Sequence, residues 1–162
     1  MNSKFIVMGV SGSGKSLIGS ALAKHFDADF FDGDDYHPAD NVAKMRAGIP
    51  LTDADRYGWL LTLNQLLNKQ DKIVLACSGL KPEYRRLLRS GNNAQLIYLK
   101  GDKETIWERH SLRKGHYFNG RTMLDSQFEE LIEPLQNESI HIDIKQSVAQ
   151  VMTAILKAIA VN

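Results

Sequence analysis

The sequence predicts an α/β fold, a doubly wound parallel five-stranded sheet. Three observations carry this. Short apolar runs alternate with longer amphipathic stretches along the chain, the pattern of βαβ units. Most of the apolar runs are continuous, as in strands buried on both faces. A glycine-rich loop, GVSGSGKS at Gly9 to Ser16, joins the first apolar run to the first helical stretch. An α+β domain is the alternative reading of the same pattern.

The elements follow in order. KFIVMG, residues 4–9, predicts a buried strand that flows into the glycine loop. From Lys15 to His25, Ile18, Ala21 and Leu22 recur at helical spacing. ADFFD, residues 28–32, predicts a second strand. Pro38 suits the first turn of a helix that ends near Gly48. A longer helix is predicted from Asp53 to Lys69, with Leu60, Leu63, Leu66 and Leu67 on one face. KIVLAC, residues 72–77, predicts the third strand, and Pro82 opens a short helix through Arg89. QLIYLK, residues 95–100, predicts the fourth strand. A helix is expected from Asp102 to Arg113, then a polar, glycine-containing loop over residues 114–121, then a helix to about Glu133. SIHIDI, residues 139–144, alternates like a strand. The last helix carries Val148, Val151, Met152, Ile155 and Ile159 on one side.

The chain has 162 residues, 43% hydrophobic and 24% charged, which suits a single domain over residues 1–162 with one sizeable core. A formal net charge of +1 gives no electrostatic argument for nucleic acid or an anionic membrane as partner. No apolar run approaches the length of a membrane span. The one cysteine, Cys77, cannot form an internal disulfide, so a cytoplasmic location is expected.

Chemistry enters at the glycine loop, which matches G-x-x-x-x-G-K-[ST] in full and has a strand before it and a helix after it. Gly9, Ser11, Gly12, Ser13 and Gly14 would turn the backbone so that successive N–H groups face phosphate oxygens. Lys15 would reach the β- and γ-phosphates, and Ser16 would ligate Mg²⁺. A nucleoside triphosphate is therefore expected, used either by a GTP-binding switch or by a small-molecule kinase. DRYG at Asp55 to Gly58 and NKQD at Asn68 to Asp71 have the form of GTPase motifs. Both fall in or at the end of one predicted helix, too close together for two parallel strands and their crossover.

FFDGDDYHP, residues 30–38, then places carboxylates at the end of the second strand. A right-handed crossover brings that end beside the P-loop. If the extended conformation persists, Asp32 and Asp34 point the same way, Asp32 toward Mg²⁺ and Asp34 toward an acceptor hydroxyl. The alternative is a solvated acidic turn bent at Gly33.

The P-loop, this D-x-D, CSGLKPEYRRLLR at residues 77–89 and RKGHYF at residues 113–118 resemble gluconate kinase. That is a P-loop family related in fold to the shikimate and nucleoside monophosphate kinases. The resemblance runs from Phe5 to about Pro134, with Gly79 where the family pattern has alanine. It implies phosphorylation of the 6-hydroxyl of D-gluconate by ATP and Mg²⁺, and a homodimer. A kinase for another small hydroxy acid, such as shikimate, shares the P-loop and D-x-D.

Gluconate is an anionic polyol, so its site needs cations and hydrogen-bond donors. Arg56 lies on the helix side that should face protein, where it either snorkels to solvent or points into a site; the resemblance favours the site. Ser78 and Lys81 follow the third strand at the ligand edge of the sheet. Arg85 shares its helix with Arg86 and Arg89, and the family motif selects it as a partner for the substrate carboxylate. Arg109 and Arg113 stand one turn apart and lead into a lid over about residues 113–121, where Arg113 would meet charge on the transferring phosphoryl group and His116 would touch substrate. The loop after Asp143 is where adenine would sit, by analogy with the fold.

Overall fold

A computed structural model describes residues 3–111 and 120–161. Strands β1 (Lys4–Met8), β2 (Asp29–Asp32), β3 (Ile73–Ala76), β4 (Gln95–Lys100) and β5 (Ser139–Asp143) form one sheet in the order β2-β3-β1-β4-β5. All four pairings are parallel. Phe5, Ile6, Val7 and Met8 of β1 and all of β3 are buried, which explains their lack of alternation. β1 sits in the middle, and the chain passes from β3 on one side of it to β4 on the other. A crevice at the carboxyl ends of the strands forms at that reversal, and the P-loop leaves β1 into it.

The helices are α1 (Lys15–Phe26), α2 (Ala39–Arg46), α3 (Asp53–Lys69), α4 (Pro82–Arg89), α5 (Lys103–Ser111), α6 (Gly120–Glu130) and α7 (Val148–Val161). α3 begins with a capping box: Thr52 Oγ1 accepts from Asp55 N–H, and Asp55 accepts from Thr52 N–H. It buries Arg56, Trp59, Leu60, Leu63 and Leu67. The segments DRYG and NKQD lie within α3 and across its end, as a helix reading requires and a GTPase reading forbids.

Three expectations need correction. The chain does not stay extended past Asp32 but enters a 3-10 turn over Gly33–Tyr36. Asp32 causes it, since its Oδ1 accepts from Asp34 N–H at 3.0 Å and caps the turn. Gly120 and Arg121, placed in a loop by the sequence, already belong to α6. α6 ends at Glu130 and not near Glu133, because Ile132 N–H leaves the helix to donate to Leu80 C=O at 2.8 Å. The expected lid residues Arg113 and His116 lie outside the described residues.

Candidate active site

Gly12 and Gly14 take φ values of 85° and 95°, a left-handed backbone that side chains resist. The loop thereby folds back, with Ser13 N–H donating to Val10 C=O at 3.2 Å. Lys15 Nζ donates to Val10 C=O at 3.1 Å, which lays the lysine across the loop. The α1 N-terminus beyond it offers amides and positive partial charge to an anion. These contacts fold Gly9 to Ser16 into one compact loop between β1 and α1. Beside it lies a cavity of about 600 Å³ whose lining includes Gly12, Ser13, Gly14, Leu17, Arg109 and Ile144. The volume suits a nucleoside. Leu17 is 60% exposed at its wall, an apolar surface a base can cover. Arg109 donates to Ile144 C=O at 2.6 Å, which ties α5 to the loop after β5.

Ser16 Oγ donates to Asp32 Oδ2 at 2.5 Å. Two hard oxygens at the mouth of a phosphate cradle fit Mg²⁺, which takes few protein ligands and fills its shell with phosphate and water. Among the described residues no cluster of three or more His, Cys, Asp or Glu side chains could hold a metal ion. A cation here would rest on Ser16, Asp32 and the nucleotide.

A second cavity opens on the other side of Lys15. Its lining includes Ser11, Lys15, Asp34, Arg56, Ser78 and Gln127. The 3-10 turn delivers Asp34 into it, held by Trp59 Nε1, which donates to Gly33 C=O at 2.7 Å. Burial pushes the Asp34 carboxyl up; Lys15 opposes the rise, and Asp32 and Asp35 add to it. Arg56 is 7% exposed. Its Nη1 donates to Tyr84 Oη at 2.9 Å and to Glu130 Oε2 at 2.6 Å. Its Nη2 and Nε make no hydrogen bond among the described residues. That leaves one edge of the guanidinium without a protein partner at a cavity wall, and the side chain is buried and does not snorkel to solvent.

Other expected residues are placed elsewhere. Lys81 lies outside this lining, where Asp53 holds its Nζ at 2.9 Å. Arg85 is corrected: it is 2% exposed, and its Nε donates to Glu138 at 3.1 Å while Nη1 donates to Gly79 C=O at 2.8 Å. It braces the β3–α4 loop against the segment before β5. Cys77 is buried, and burial raises its thiol to about 12, so it is a packing residue. The sequence reading missed His37, Trp59 and Gln127. His37 stacks on Trp59, with ring centroids 4.0 Å apart. Gln127 Oε1 accepts from Ser11 N–H at 2.7 Å.

A family model described as shikimate kinase matches residues 11–160. The thermosensitive gluconokinase of Escherichia coli (strain K12) is 47% identical over 91% of this chain and 82% of its own. The thermoresistant gluconokinase of the same organism is 44% identical over 96% of this chain and 92% of its own. A gluconokinase structure from Sinorhizobium meliloti 1021 superposes with a TM-score of 0.90 at 37% identity, over 98% of this chain and 91% of that one. Shikimate kinase from Aquifex aeolicus vf5, at 18% identity and a TM-score of 0.63, shares the fold, over 97% of this chain and 96% of that one. With its P-loop, its five-stranded parallel sheet and these relatives, the chain belongs to the gluconokinase family of shikimate kinase-type P-loop kinases.

Proposed function

We propose that this protein transfers the γ-phosphoryl group of ATP to the 6-hydroxyl of D-gluconate, giving 6-phosphogluconate. One observation carries the reading beyond family membership. The P-loop lysine and the Asp34 carboxylate open onto the same cavity as the unpaired edge of a buried arginine. A neutral sugar would leave that guanidinium edge without an anion, whereas a sugar acid supplies a bidentate partner.

The roles follow from position. Arg56 holds the acceptor carboxylate, and Ser78 lines the same cavity as a hydroxyl partner. Asp34 orients the acceptor hydroxyl and takes its proton; its raised pKa makes it a stronger base than an ordinary carboxylate. Lys15 and the P-loop amides hold the β- and γ-phosphates, with adenine in the cavity between Leu17 and Ile144. Ser16 and Asp32 would hold Mg²⁺, which would supply charge neutralisation for the phosphates. Arg113 and His116 are assigned to a closing lid on the family resemblance. The single cysteine, buried and protonated, suits a reducing cytoplasm.

A coupled assay for ADP with gluconate, glucose and shikimate as acceptors tests the reading. Gluconate is expected to support the fastest release. Glucose performing as well as gluconate would remove the role given to Arg56.

A further inference from the structure

Helix α6 reaches both halves of the site through residues one turn apart. Gln127 bonds the P-loop at Ser11 N–H, and Glu130 bonds Arg56 Nη1. The first contact has a chemical consequence. A backbone N–H can only donate, so the carboxamide oxygen must face Ser11 and the orientation of the amide is determined. The Nε2 group then stands on the other branch of the carboxamide. Gln127 is 6% exposed and lines the acceptor cavity. Its Nε2 makes no hydrogen bond among the described residues. The acceptor end of the amide is thus satisfied on the P-loop, and its donor end is free to bond a ligand in the cavity that the residue lines.

We propose that Gln127 is a specificity-determining residue of the acceptor site: Oε1 stays on the P-loop, and Nε2 donates to one secondary hydroxyl of the sugar acid. This rests on the gluconate reading of the same cavity. The amide then reads the acceptor from the phosphate cradle itself, so a hydroxyl in the right place also sets the distance between acceptor and nucleotide. Glu130 supports this by orienting Arg56 from the same helix, so that the carboxylate end and the hydroxyl end of the acceptor are both registered by α6. Lys15, Asp34 and Ser78 line the same cavity, and Gln127 Nε2 adds a further donor for the polyol chain.

Gln127→Met removes both polar ends at similar volume. Gln127→Glu keeps the oxygen that accepts from Ser11 and removes the donor. The measurement is kcat/KM for gluconate and for its 2-, 3-, 4- and 5-deoxy analogues, with binding of a fluorescent ATP analogue as a second readout. In the wild type, one of the four analogues is expected to lose about tenfold in kcat/KM, the scale of one good hydrogen bond. In both variants gluconate itself drops by a similar factor and the discrimination at that one hydroxyl disappears, while ATP analogue affinity in Gln127→Glu stays within about twofold. A variant that slows gluconate and all four analogues by one common factor overturns the inference, because a purely structural amide would do that. Wild-type protein with no gluconate dependence overturns the function reading and this inference with it. Gluconate-dependent wild type with unchanged discrimination in Gln127→Glu overturns the inference alone.

Discussion

Burial raises the pKa of the Asp34 carboxyl, and that shift has opposite consequences for rate and for stability. A group whose folded pKa lies above its unfolded value contributes stability below the unfolded pKa and loses it as pH rises. Above the folded pKa the ionised Asp34 is therefore a cost to the fold. Asp34→Asn is expected to raise the urea midpoint at pH 7 while lowering kcat by about 10²–10⁴-fold, the usual worth of a general base. ATP analogue affinity should stay unchanged. A variant with reduced stability and intact kcat would contradict both halves of the assignment. His37 shows the reverse sign. Burial lowers its pKa from 6.5 to about 4, and the Arg56 charge adds to this. The Asn41 amide nitrogen lies 3.2 Å from Nδ1, a contact that only a neutral ring can accept. Stability is thus complete above pH 6.5 and falls as pH drops toward 4, by up to about 3 kcal/mol. Urea titrations at pH 7 and pH 5 should show about 2 kcal/mol of that loss in the wild type and a smaller one in His37→Phe, which keeps the stack on Trp59. That Asp34, Ser78 and Arg56 come together at one cavity was legible in the sequence, because each follows a strand end or a helix period. Gln127 was not, because its partner Ser11 lies 116 residues away and α6 carries no motif of its own. Arg85 was misread for the same reason: its carboxylate, Glu138, is 53 residues on and invisible to local pattern.

Among the elements, the 3-10 turn over Gly33–Tyr36 decides whether Asp34 reaches the cavity. A Cβ at Gly33 would stand 2.7 Å from the Ala76 carbonyl oxygen, a backbone atom that cannot move aside cheaply. Gly33→Ala should therefore shift the turn and carry Asp34 with it. A displacement near 1 Å costs about 10²-fold in rate, so kcat is expected to fall on that order while far-UV circular dichroism stays native. Unchanged kcat would show that the turn does not position the base. The sequence marked a bend at Gly33 but favoured an extended pair of aspartates. The Asx cap made by Asp32 competes with extension, and a D-G-D pattern carries that signal weakly. Elsewhere the elements were well marked. The observed ends of α3 and α4 coincide with Asp53–Lys69 and Pro82–Arg89, because a capping box and a first-turn proline punctuate them. The end of α6 was not marked, since a tertiary bond from Ile132 to Leu80 terminates it.

At the scale of the molecule, the sheet order puts the P-loop, the aspartate turn and Ser78 at the carboxyl ends of neighbouring strands β1, β2 and β3. Continuous apolar runs and the handedness rule made that arrangement legible, because a buried parallel sheet leaves few other topologies. The position of α6 against both the P-loop and Arg56 depends on long-range contacts and could not be read from a single chain of residues. The central claim is that this edge of the sheet joins a nucleotide cradle to a sugar-acid site. Its most direct test is phosphorus NMR of wild-type protein incubated with ATP and Mg²⁺, with and without D-gluconate. Gluconate should be needed for rapid ADP formation, with one phosphomonoester on the primary 6-carbon for each ADP. ADP formed at the same rate without gluconate, with its phosphate released as the inorganic ion, would contradict the account.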